Sequence, residues 1–326
     1  MGVWSVTLSR MMNRPVLGNA VLSLVVAATV AGCHSSPTAP SAPALESLVS
    51  HGVPRTYTLH VPPGFQPNAG ALIIALHGRT QTASSFESFS GLSVKADQAA
   101  FAVAYPDGLF QSGDGATNWA FFRNDYADDV GFLRDLVTAL QASIHPDPRR
   151  IYVTGFSNGG RMAYRAGIEL PDLVAAVGVV GGSLYIVEGG SAASVPAALG
   201  PVSVVMLQGE FDTPYCGGIQ GGGSFASQDE TFDYWTGALG NNCATVDPPA
   251  PLCDGRTINA LASKSATNCR GNTQVVFYKL IGGNHFWYAS PMNVAGQAPF
   301  NPALNAATGL TTNDILWNFF SAHPKS

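Results

Sequence analysis

The stretch that most constrains the fold is Ile151-Tyr152-Val153-Thr154-Gly155-Phe156-Ser157-Asn158-Gly159-Gly160-Arg161. Ile151 to Thr154 is a short, largely β-branched run of the kind that forms a buried strand. Arg161 to Leu170 reads as a helix, and between the two Gly155-Phe156-Ser157-Asn158-Gly159 fits G-x-S-x-G. A chain that turns this sharply from strand to helix holds the central serine in a strained conformation. Gly155 and Gly159 must then be small so that strand and helix can approach. The hydroxyl stands clear at the positive end of the helix, where developing negative charge is favoured. A glycine-rich turn with an incidental serine is the plainer alternative, but the flanking strand and helix favour Ser157 as a nucleophile.

Such a unit needs a large sheet around it. With 326 residues, 46% of them apolar, the chain can bury the core of one large α/β domain. Only 11% is charged, while 36 Gly and 22 Pro point to a loop-rich surface suited to an exported protein. A net charge of −5 with no basic run argues against nucleic acid as a partner.

The N-terminus has the form of a targeting segment. Arg10 and Arg14 precede an apolar run from Val16 to Val30, which is short for a membrane span and ends in small residues. Val30-Ala31-Gly32-Cys33 resembles the bacterial lipobox, whose cysteine carries lipid and becomes the first residue of the mature chain. Residues 1–32 are therefore expected to be a lipoprotein signal peptide, with a plain secretory signal as the alternative and Met1, Met11 or Met12 as the start. Residues 33–44 form a Pro/Ser/Ala tether, and 45–326 the catalytic domain. The expectation is an extracytoplasmic, membrane-anchored monomer that touches membrane only through lipid on Cys33. Four cysteines remain, Cys216, Cys243, Cys253 and Cys269. In an exported chain they read as two disulfides with three possible pairings. Their spacing does not suit zinc, and no metal site is expected.

Along the domain, strands are predicted at 55–61, 71–76, 101–105, 173–180, 201–207 and 274–280. Helices are predicted from Asp128, over 228–239 and over 312–320. Asp128 and Asp129 read as N-cap and first-turn acids, with Val130, Leu133, Leu136, Val137, Leu140 and Ile144 on the apolar face. Strands alternating with helices predict an α/β fold with a mainly parallel central sheet covered on both faces.

In hydrolases with a strand–serine–helix turn of this kind the acid and then the histidine follow the serine in sequence. Past Ser157 only His285 and His323 lie downstream of an acid, and His323 sits at the C-terminus. His285 follows a core strand in the glycine-flanked Gly282-Gly283-Asn284-His285 and is the expected base. Asp212 is the expected acid, with Glu210 on the same loop as runner-up. One oxyanion donor is expected from the N–H of Asn158, after the nucleophile. The other is expected from the loop His77-Gly78-Arg79-Thr80, at Arg79 ahead of Thr80. His77 reads as a structural residue beneath that loop. Trp119, Phe121 and Phe122 either line a cleft or pin their loop down; Trp119, with Thr80, is entered as a candidate substrate contact. No cofactor is needed for this chemistry.

Together these motifs resemble the esterase/poly(3-hydroxybutyrate) depolymerase family, which includes feruloyl and acetyl-xylan esterases. Leu76-His77-Gly78 with Thr80-Gln81-Thr82-Ala83 is similar to its oxyanion loop, and Tyr105-Pro106-Asp107-Gly108 and Asp128-Asp129-Val130-Gly131-Phe132 are further signatures. Gly155 to Gly160 resembles its nucleophile turn, Gly209 to Asp212 its acid loop and Gly282 to Trp287 its histidine loop. The likeness covers about residues 53–320 and implies an α/β-hydrolase fold. It implies Trp287 near the substrate and a Cys243–Cys269 disulfide, leaving Cys216 and Cys253 for each other. The chain departs from the pattern in a shorter acid loop between Asp212 and Pro214, in Tyr288, and in Arg79 where a small residue or cysteine is usual.

The resulting expectation is a lipid-anchored serine carboxylesterase for feruloyl or acetyl-type esters. Depolymerisation of polyhydroxybutyrate or its oligomers is the alternative with the same chemistry. A peptidase, an acyltransferase and a non-catalytic binding lipoprotein rank below these.

Overall fold

The computed structural model describes residues 45–111, 115–122, 127–186, 194–209, 212, 225–247, 261–280, 284–287 and 310–326. The chain falls into two compact units, Met1–Ser41 and Ala42–Ser326. The first lies wholly outside the described residues, as do Cys33, Glu210, Cys216 and Cys253.

The strands are β1 (Leu45–Ser50), β2 (Val53–His60), β3 (Leu72–Leu76), β4 (Ala102–Pro106), β5 (Phe110–Gln111), β6 (Thr117–Asn118) and β7 (Ile151–Phe156). They continue with β8 (Ala176–Val180), β9 (Ser203–Gly209), β10 (Thr245–Asp247), β11 (Leu261–Thr267) and β12 (Val275–Leu280). Among the described residues ten of them form one sheet in the order β1-β2-β4-β3-β7-β8-β9-β12-β11-β10. The central strands from β4 to β12 run parallel. Antiparallel pairs flank them: β1–β2 and β2–β4 on one side, β12–β11 and β11–β10 on the other.

Parallel strands covered on both faces read as unbroken apolar runs, and β3, Leu-Ile-Ile-Ala-Leu, is buried throughout. Its period-two alternation divides it between two cores. Leu72, Ile74 and Leu76 join the core on one face with Leu133, Leu136, Met162, Phe232 and Trp235. Ile73 and Ala75 join the other, with Phe86, Leu92, Leu316 and Phe320. The helices are α1 (Ala83–Ser90), α2 (Leu92–Ala99), α3 (Asp129–Ser143), α4 (Asn158–Glu169), α5 (Gln228–Thr236) and α6 (Thr312–Ala322). Helices α3, α4 and α5 contribute to the first core, and α1, α2 and α6 to the second. This is the two-faced α/β sheet expected from the alternation of elements.

Asp128 is the N-cap of α3, accepting from the Gly131 N–H at 2.8 Å, as its position implied. Asp129 lies in the first turn of α3, as its position also implied. It is fully buried, 2.6 Å from Arg55 Nη2, and accepts the Ala120 N–H on its other oxygen at 2.7 Å. The strand expected from Leu173 begins only at Ala176. The Cys243–Cys269 disulfide implied by the family resemblance is formed and ties the segment after α5 to the end of β11.

Candidate active site

Parallel strands deliver their following loops to one edge of the sheet. Here β3, β7, β9 and β12 lead to His77-Gly78-Arg79, Ser157, Asp212 and His285 respectively. Ser157 occupies the single position between the end of β7 and the start of α4. Its φ is 54° and ψ −113°, a left-handed conformation that a residue with a side chain adopts only under constraint. The constraint is visible on both sides: the Ser157 N–H donates to Val180 O at 2.9 Å, and Ser157 O accepts the Arg161 N–H at 3.1 Å. The neighbouring glycines allow this turn. A Cβ on Gly155 would run into the backbone of Gly159, and one on Gly159 into the carbonyls of Leu76 and His77.

His285 and Asp212 are joined. Nδ1 of the imidazole lies 2.9 and 2.8 Å from the two carboxylate oxygens, so Nδ1–H donates to a buried acid while the ring itself is exposed. The imidazole rests on Phe156, the residue before the serine, at 4.8 Å between ring centroids. Gly181, at φ 62°, makes room: a Cβ there would sit 3.1 Å from the imidazole and 3.2 Å from the Asp212 carboxylate. Ser157, Asp212 and His285 therefore share one sheet edge. Among the described residues the imidazole's hydrogen bonds are the two to Asp212.

The loop after β3 is held from below. His77 is fully buried; its Nε2 accepts the Gly108 N–H at 2.9 Å, so the proton sits on Nδ1 and donates to Gly78 O at 2.7 Å. Burial pushes its pKa down from 6.5, keeping the ring neutral. This is the structural histidine that the sequence suggested. Gly78 N–H is taken by Gln81 Oε1 and Thr80 N–H by Thr117 O. The bond made by Thr80 commits its N–H to Thr117 O and so takes it out of the candidate oxyanion donors. Asn158 opens α4, where the first amides have no partner within the helix. Its side chain has a second task, accepting the Trp119 N–H on Oδ1 at 2.7 Å.

Two expected substrate contacts are corrected. Trp119 is fully buried, and its indole N–H donates to His77 O at 3.0 Å, so it pins its loop rather than lining a cleft. Trp287 is 3% exposed, packs edge-on against Phe86 and donates its indole N–H to Asn313 Oδ1 at 2.8 Å. An indole N–H finds an internal partner when buried, and in both cases that bond turns the ring into the core. Thr80 remains exposed.

Arg161 escaped the sequence reading, although its place four residues after Ser157 puts it one helical turn away. It stacks on the Phe225 ring at 4.0 Å and faces Phe121 at 5.5 Å. Among the described residues no group of three or more His, Cys, Asp or Glu could hold a metal ion, and no helix is long and apolar enough to cross a membrane.

The family profile described as Esterase PHB depolymerase matches residues 55–210. The provisionally named esterase NocK of Nocardia uniformis subsp. tsuyamanensis is 30% identical over 348 residues, covering 93% of this chain and 96% of that protein. Feruloyl esterase B of Piromyces equi is 31% identical over 245 residues, covering 71% of this chain but 42% of its own length. Among solved structures, an acetyl xylan esterase from Aspergillus awamori matches with a TM-score of 0.51 at 17% identity, covering 77% of this chain and 96% of that one, a likeness of fold. The chain thus belongs to the Esterase PHB depolymerase family and is a serine hydrolase of carboxylic esters built on the α/β-hydrolase fold.

Proposed function

We propose that this carboxylesterase works through Ser157, His285 and Asp212 on feruloyl or acetyl-type esters, and that lipid on Cys33 anchors it outside the cytoplasm. The observation carrying the mechanism is the strained Ser157 beside the His285–Asp212 pair at one sheet edge. His285 removes the Ser157 proton as the hydroxyl attacks the ester carbonyl, and Asp212 holds the tautomer and stabilises the imidazolium. The serine–histidine hydrogen bond of such sites is often formed only as substrate binds. The N–H groups of Asn158 and Arg79 hold the tetrahedral oxyanion, each contributing about 3–4 kcal/mol. The alkoxide leaves with a proton from His285; water, deprotonated by His285, then releases the acyl group.

The feruloyl and acetyl reading is supported by the likeness to a feruloyl esterase over most of this chain. The family description supports the alternative, hydrolysis of polyhydroxybutyrate oligomers. The test is the full chain, exported with its disulfides formed, and its Ser157→Ala variant. Both are assayed on p-nitrophenyl acetate, methyl ferulate and a 3-hydroxybutyrate oligomer. Serine-dependent turnover favouring methyl ferulate supports the first reading, and the reverse ranking the alternative. Equal inertness of both proteins on p-nitrophenyl acetate rejects the catalytic assignment. Mass spectrometry of the mature N-terminus tests for diacylglycerol on Cys33.

A further inference from the structure

We infer that Arg161 and the aromatic rings around it form an anion-accepting subsite, which takes a free carboxylate borne by the ester substrate. The inference rests on the esterase reading above and narrows its substrate class.

Helix α4 carries two arginines one turn apart, and they are used differently. Arg165 is spent on structure: it pairs with Glu169 at 3.0 Å and donates to the carbonyls of Ala120 and Phe122. Arg161 makes no ion pair of that kind among the described residues. Its Nε is shielded from solvent and meets no acceptor there. A guanidinium is a set of five donors with the geometry to grip a carboxylate, and one desolvated without an acceptor is costly unless something completes it. Desolvation pushes Arg161 down to about 10, opposed by the charge of Asp212, so it still carries its positive charge near neutral pH.

The surroundings have the character of a binding pocket. Phe121, Phe122, Tyr185 and Phe225 form a ring cluster with centroids 5.2 to 6.1 Å apart. Arg161, Phe121, Phe122 and Tyr185 line a cavity of about 290 Å³. Asp212 acts on the cation through its charge, but among the described residues its carboxylate oxygens accept from His285 and make no hydrogen bond with Arg161.

Position selects the ligand. Four residues along a helix advance about 6 Å, which sets Arg161 one turn from Ser157 and favours a ligand whose charge lies a few bonds from the scissile carbonyl. An ester of a β-hydroxy acid places its free carboxylate carbon four bonds from the scissile carbonyl carbon. A uronic acid esterified on a ring hydroxyl offers the same charge from a different skeleton.

The test uses the full-length protein and its Arg161→Met and Arg161→Lys variants. The substrate pairs are the 3-hydroxybutyrate dimer with its methyl ester, and acetylated glucuronate with acetylated glucose; p-nitrophenyl acetate is the control. Arg161→Met should lower kcat/KM about tenfold to a hundredfold for the acid of at least one pair, through KM. The neutral partner and the control should stay within about threefold, and Arg161→Lys should recover part of the loss. The pair that responds distinguishes hydroxy acid from uronate. Glutarate should also inhibit the unaltered protein competitively and more strongly than dimethyl glutarate, a readout that needs no variant to fold. Equal effects of Arg161→Met on acid and neutral esters, or none on either, overturn the inference in favour of a purely structural stack. Turnover of p-nitrophenyl acetate with both pairs inert overturns it as well. Failure of the esterase reading is distinct: Ser157→Ala would leave control turnover unchanged.

Discussion

His77 Nε2 accepts the N–H of Gly108 at 2.9 Å inside the core, and the burial of this ring makes the loop beneath the candidate site sensitive to acid. Protonating Nε2 would set two donors against each other. The folded pKa lies below the unfolded value near 6.5 because burial disfavours the charged ring. A depressed pKa gives stability that is complete above the unfolded value and is lost as pH falls through 6.5 toward the folded one. The melting temperature should therefore drop between pH 7 and pH 5. His77→Gln should have a lower melting temperature at pH 7 but a flatter dependence over that range. A variant as steep as the parent would remove His77 as the source.

Arg55 and Asp129 are paired in the core at 2.6 Å, 74 residues apart in sequence. Removing one partner of a buried pair typically costs about 3–5 kcal/mol. Arg55→Met leaves a buried carboxyl whose pKa is already raised by desolvation, with Arg55 the main opposing influence. A raised carboxyl pKa means stability present at low pH and lost as pH climbs through it. Arg55→Met should thus be destabilised in urea unfolding, and by more at pH 8 than at pH 5. An equal deficit at both would show that the arginine matters only through its stack on Phe132, 3.7 Å away.

This pair also shows what the sequence could and could not reveal. Leu72 to Leu76 announced a central strand because it is apolar at every position, and Ser157, Asp212 and His285 stood in an order and in loop contexts that few arrangements share. Asp129 is the first-turn acid that its position implies, but its pairing with Arg55 stays hidden because that partner comes from a distant strand, and local pattern carries no record of that. Trp119 reads as a substrate contact because an aromatic on a long loop suits a cleft as well as a core, and Trp287 does so because the family resemblance implies it. Only the partners of their N–H groups, His77 O and Asn313 Oδ1, separate the two. Strand β11 was missed for a similar reason: Lys264 breaks its apolar pattern, yet the lysine is buried over the ring of Phe232.

Gly159 and Gly160 are adjacent but should not be equally replaceable. A Cβ on Gly159 would collide with the backbone carbonyls of Leu76 and His77, which cannot turn aside without separating β3 from α4. A Cβ on Gly160 would meet first the Val179 side chain at 2.9 Å, which has rotamers to use. Gly159→Ala should lose more than about 3 kcal/mol or yield no soluble protein, while Gly160→Ala folds with a smaller loss. Comparable yields and urea midpoints for the two would contradict the close approach of strand and helix.

The Cys243–Cys269 bridge closes a loop of sequence separation 26. Chain entropy assigns such a cross-link about 3–4 kcal/mol. Replacing both cysteines with serine should lower stability by up to that amount. Turnover of p-nitrophenyl acetate at 25 °C should change little, because the bridge lies beyond β12 at the far edge of the sheet. A large loss of kcat without a fall in melting temperature would place the bridge in the site instead.

Asp212→Asn separates the proposed catalytic role of the His285–Asp212 contact from a structural one. The carboxylate accepts from Nδ1–H, so the tautomer leaves Nε2 free as a base. An amide can present its NH₂ to Nδ1 instead, moving the ring proton to Nε2, where it can no longer accept from serine. The change is nearly isosteric and removes one buried charge, so folding should be preserved. If Asp212 acts as proposed, kcat should fall by about three to four orders of magnitude, with KM and melting temperature little changed. The loss should lessen at alkaline pH, as hydroxide replaces the missing general base. A loss of less than about tenfold would dismiss Asp212 as the acid and direct the search to Glu210, two residues before it in sequence. A loss matched by a collapse in melting temperature would make the contact a brace for the histidine loop.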